Sequence, residues 1–100
     1  MLKITPQYPS TYNDPAMAEF VRAMAVDLVG AEQVKEADMQ MGSEDFSFMA
    51  RAKPGTFFNI GAKKDDKARP HHNPVFDINE DVLPLGAALL AESARKFLTR

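Results

Sequence analysis

The chain of 100 residues contains no cysteine. That excludes a disulfide scaffold, a thiolate metal site and a cysteine nucleophile. No apolar run approaches the roughly 20 residues of a membrane span. The opening Met1-Leu2-Lys3-Ile4-Thr5-Pro6 lacks the apolar core of a signal peptide. A cytoplasmic protein, not bound to a membrane, is the expectation. Positive charge is not in excess either. Lys and Arg number 12 against 14 Asp and Glu, a net charge of -2, which argues against a nucleic-acid partner. There is no HExxH pair, no GxSxG elbow and no glycine-rich phosphate loop. Internal repeats and low-complexity tracts are also missing.

What remains is ordinary for a soluble domain: 45% hydrophobic and 26% charged residues. The length predicts a single domain over residues 1–100. Leu2 to Tyr8 reads as a strand, weakened by Pro6. Asn13 or Asp14 caps a helix that Pro15 opens and Gly30 stops. Met17, Phe20, Val21, Met24, Ala25 and Leu28 form its apolar stripe. Gln33 to Met41 fits a short extended piece. Ser43 is the expected cap of a short helix, with Glu44 and Asp45 in its first turn and Phe46 and Met49 facing the core. The methionines at 17, 24, 39, 41 and 49 are expected as core fillers.

Thr56 to Ile60 is the strongest strand signal, being β-branched and aromatic between Gly55 and Gly61. Ala62 to Asn73 reads as a polar loop, mobile at its centre, with Asp65 and Asp66 in a solvated patch. Asp77 and Glu80 resemble a capping box. The last helix is expected from about Asp81 to Leu98, with Pro84 in its first turn and a face made by Leu83, Ala87, Leu90, Ala94 and Phe97. Strands alternating with helices predict an α/β fold, a small mostly parallel sheet with flanking helices. So few strands suggest a piece of something larger.

Two stretches could carry chemistry. His71 and His72 are the only histidines. In an extended segment neighbours point opposite ways, so the two are not expected to bind one ion. A metal site needs three or four ligands, and a pair of loop histidines is more often incidental. Gly42-Ser43-Glu44-Asp45 could set backbone N–H groups and carboxylates at a helix start, against the plainer reading of a well-capped helix.

Three stretches in order carry a family likeness: Tyr8 to Asp14, Met41 to Phe48, and His72 to Asp81. Pro54 to Gly61 and Leu83 to Leu89 fit the same pattern. Together they resemble the C-terminal part of M20-family metallopeptidases, nearest the amidohydrolase branch of hippurate hydrolase, N-acyl-amino-acid hydrolases and auxin-conjugate hydrolases. The resemblance implies a fragment of the family's catalytic domain, with 1–9 as the return strand from an inserted lid domain. It implies a two-metal hydrolase of N-acyl amino acids, with zinc, manganese, cobalt or nickel activating a water. His72 stands at the position of the last metal ligand; nothing carries over to His71. Gly42, Ser43, Glu44 and Asp45 match a loop close to the active site, and enter as substrate-site lining. The general-base Glu and the other ligands have no counterpart here. The resemblance therefore implies a chain that is inactive alone and holds no metal stably. Full-length members are often homo-oligomers, while this chain alone is expected as a monomer. The alternative is a non-catalytic, free-standing domain that binds a partner or self-associates.

Overall fold

Every regular element of the chain is helical. The structure, a computed structural model, describes all residues 1–100. Helix α1 spans Pro15–Val29, α2 Phe46–Ala52 and α3 Leu83–Leu98, with single 3-10 turns at Ala31–Gln33 and Glu80–Val82. None of these helices is long and apolar enough to cross a membrane. Two compact units divide the chain, Met1–Phe58 and Asn59–Arg100.

The expected α/β fold is overturned, because no strand forms at all. A strand needs a neighbour about 4.8 Å away to take up its backbone groups. At the Thr56–Ile60 segment that role falls to the turn before α1. The Asn13 side chain bonds both backbone groups of Phe57, and the Asp14 N–H donates to the Gly55 carbonyl at 2.9 Å. Leu2 to Tyr8 forms no ladder either, and leaves Leu2 and Ile4 exposed. Gln33 to Met41 is irregular beyond its first residue.

In the first unit α1 is set by its ends, as its sequence predicts. Asp14 Oδ1 accepts from the Met17 N–H at 3.0 Å, and Pro15 opens the helix without wasting a donor. Gly30 closes it at φ 85°, a backbone angle that side chains with a Cβ rarely adopt. Met24 is the buried residue of the stripe.

The second helix starts later than expected. Ser43 is not its cap; the Glu44 carboxylate accepts from the Phe46 N–H at 3.1 Å instead. Phe46 packs against Phe57 with ring centroids 5.6 Å apart. A Cβ on Gly55 would come within 3.1 Å of the Phe46 ring, so the small residue permits that approach. Ser47 is fully buried, and Met49 is exposed where the pattern placed it inside. Met39 and Met41 are likewise fully exposed rather than core fillers.

In the second unit Asn79, not Asp77, caps the helical start: its Oδ1 accepts from the Asp81 N–H at 3.0 Å. Pro84 lies in the first turn of α3 as required. The inward face differs from the expected one. Leu89 is buried, while Leu83 and Leu90 are 56% and 62% exposed. Gly86 admits the tip of Ile60, which a Cβ there would meet at 3.0 Å.

Candidate functional site

His72 occupies the most unusual backbone position in the chain. Its φ is 57°, the only positive value outside glycine. That left-handed conformation costs an L-residue about 1–2 kcal/mol. A tight turn follows it. The Phe76 N–H donates to the Asn73 carbonyl at 2.9 Å, with Pro74 pre-set at the second position. Asn73 Oδ1 accepts from the Val75 N–H at 3.1 Å. The two histidines therefore sit in a turn, not an extended segment. His71 lies against Phe76 at 4.9 Å between ring centroids. The His72 imidazole is exposed.

Arg69 ties this turn to the charged loop. Its guanidinium grips Asp65 with two nitrogens, at 3.1 and 2.7 Å, and donates to the Val75 carbonyl at 3.3 Å. Asp77 accepts from Lys64 and lies 4.0 Å from Arg69. Hydrogen bonding from Arg69 holds the Asp65 carboxyl below its ordinary pKa, and Lys64 does the same for Asp77. The loop expected to be mobile at its centre is thus cross-braced. Asp66, paired with Lys63, stays on the surface as expected.

In the first unit Gly42, Ser43 and Asp45 are exposed and Glu44 is half-buried. The Glu44 carboxylate is spent on the start of α2. Asp45 faces the Tyr8 hydroxyl, and hydrogen bonding to that carboxylate raises the tyrosine above its ordinary 10. The Tyr8 ring leans on Phe48, with centroids 5.4 Å apart. Tyr8 thus joins the first of the quoted stretches to the second.

No three His, Asp or Glu side chains gather anywhere in a group that could hold a metal. One exposed imidazole does not make a two-metal centre. These residues do not fit that centre on their own. Three residues missed by the sequence reading stand out: Tyr8, Asn13 and Arg69.

Comparison with known proteins decides the family. The model of peptidase family M20/M25/M40 matches residues 2–96. The chain belongs to this family. M20 proteins are generally metal-dependent. The chain is similar to IAA-amino acid hydrolase ILR1-like 4 of Arabidopsis thaliana, 41% identical over 96 residues, covering 93% of this chain and 22% of the relative. It is 38% identical over 89 residues to the putative amidohydrolase YhaA of Bacillus subtilis, covering 87% of this chain and 22% of that protein. Thermostable carboxypeptidase 1 of Saccharolobus solfataricus is 37% identical over 92 residues, 90% of this chain and 23% of its own. The chain therefore spans about a fifth of the length of the M20 relatives it matches. No solved structure matches it.

Proposed function

We propose that the chain is the C-terminal part of a cytoplasmic, metal-dependent amidohydrolase that cleaves N-acyl amino acids of the hippurate type. In this reading His72 supplies one metal ligand to a centre completed by residues outside these 100, and Gly42 to Asp45 line the substrate site. The observation that carries the proposal is the His72 backbone. A non-glycine residue at φ 57° is the kind of local strain that functional sites retain. Family membership and the hydrolase names of the relatives support the same reading. Zinc, manganese, cobalt and nickel all suit a His and carboxylate donor set.

One ligand does not assemble a metal pair, so the 100-residue chain has no hydrolase activity alone. Assaying it on hippurate with each divalent ion tests this directly. No glycine release is expected; metal-dependent release by the pure chain overturns the proposal. The second reading, a non-catalytic domain that binds a partner or self-associates, is favoured by the exposed leucines of α3.

A further inference from the structure

Arg69 and His72 lie on one closed segment, with three closures nested around the histidine. The Asn79 N–H donates to the Ala62 carbonyl at 3.0 Å, Lys64 pairs with Asp77, and Arg69 Nη1 donates to the Val75 carbonyl at 3.3 Å. His72 stands midway between the ends of the innermost closure. Within that span the chain turns at 71–72 and again at 74–75. Asn73 braces the second turn: its carbonyl accepts from the Phe76 N–H and its Oδ1 from the Val75 N–H. The first turn contains the His72 φ of 57°. Each of these contacts lies between residues 62 and 79, so the arrangement is local.

We infer that Arg69 is a positioning residue for His72, acting through the Val75 carbonyl, with Asp65 aiming its guanidinium. The geometry is a relay. The Lys67 N–H donates to Asp65 Oδ1 at 3.0 Å and sets the carboxylate. Asp65 then accepts from Arg69 Nε and Nη2, at 3.1 and 2.7 Å. A guanidinium is planar and rigid, so fixing two nitrogens directs the third. That third nitrogen, Nη1, is the one on Val75. Lys64 engages Asp77, which leaves Asp65 as the carboxylate that Arg69 grips. With both ends of the 69–75 segment tied and its second half braced by Asn73, the remaining chain reversal falls on His71 and His72. Strained backbone at a residue other than glycine persists only where its surroundings over-determine it. The relay supplies that constraint. A lysine at 69 would offer one ammonium, with no planar fork to serve carboxylate and carbonyl together. The meaning of this relay for hydrolysis rests on the proposed role of His72; its geometry does not.

NMR on the isotope-labelled 100-residue chain tests it. A strong NOE between a residue's own amide and α protons marks a positive φ. The parent chain should show it at His72. Arg69→Lys and Asp65→Asn should each lose it, while the amides of α3 keep their dispersion. Lys63→Ala removes the neighbouring surface pair with Asp66 and should leave the signal intact. A parent without the strong NOE overturns the inference, and so does either relay variant that retains it. Loss of the signal only together with the α3 dispersion would mean a role in stability alone, and overturns it too. The hydrolase reading fails on a different result, glycine released from hippurate by the pure chain, which leaves the NOE and the relay untouched.

Discussion

The side-chain amide of Asn13 grips the backbone of Phe57 at both ends. Nδ2 donates to the carbonyl at 2.9 Å and Oδ1 accepts from the N–H at 2.7 Å, across 44 positions of sequence. One side chain thereby replaces the neighbouring strand that this segment would otherwise need. It also fixes Phe57 against Phe46, and so the start of α2. Asn13→Ala should lower the stability of the first unit by about 1–2 kcal/mol, the net value of two exposed hydrogen bonds. Chemical denaturation with amide exchange at Phe57 measures it. Exchange unchanged at Phe57 would mean that the clamp does not persist in solution.

Tyr8 should titrate above its ordinary 10, because Asp45 stabilises the neutral phenol. Its folded pKa is raised, so the contact stabilises below the unfolded value and is lost as pH rises through the folded one. In a Tyr12→Phe background, ultraviolet absorbance reports Tyr8 alone. Asp45→Asn should move that titration down. No movement would separate Tyr8 from Asp45.

Asp65 and Asp77 behave in the opposite sense. Both carboxyls are held below their ordinary 3.8 by Arg69 and Lys64. The stability they contribute is present above that value and lost as pH falls through the lowered one. The side-chain carboxyl carbon shifts of Asp65 and Asp77 should therefore stay constant down to about the ordinary carboxylate range, then change below it. Arg69→Lys keeps the charge but loses the fork, and should bring the change to higher pH.

Ser47 is fully buried and its hydroxyl has no hydrogen-bond partner. Ser47→Ala should raise stability by about 1 kcal/mol, since it removes an unsatisfied polar atom and improves helix propensity. A denaturation midpoint that falls instead would show that the hydroxyl is bonded in solution.

What the sequence disclosed follows the range of the forces involved. The ends of α1 are local: Asp14, Pro15 and Gly30 each act within one turn, and all three do what their chemistry dictates. Thr56 to Ile60 has the composition of a strand, but pairing is non-local and propensity cannot supply a neighbour. Periodicity groups Leu83, Ala87, Leu90, Ala94 and Phe97 on one face of α3, but the structure buries Leu89 and leaves those five exposed. At the candidate site, Asn73-Pro74 announces a turn, whereas the positive φ of His72 is visible only in the fold. The Tyr8–Asp45 and Arg69–Asp65 pairings depend on side-chain placement, and no single-residue signal marks Tyr8.

The most direct test of the hydrolase reading is a graft. The matching 96 residues of the Arabidopsis IAA-amino acid hydrolase are replaced by those of this chain, and metal content and conjugate hydrolysis are measured with His72 and with His72→Asn. Asparagine tolerates the left-handed backbone, so the variant should fold as stably as its parent. The account predicts metal-dependent hydrolysis in the parent graft, with both activity and bound metal lost in the variant. A variant that keeps its metal and its activity would contradict it.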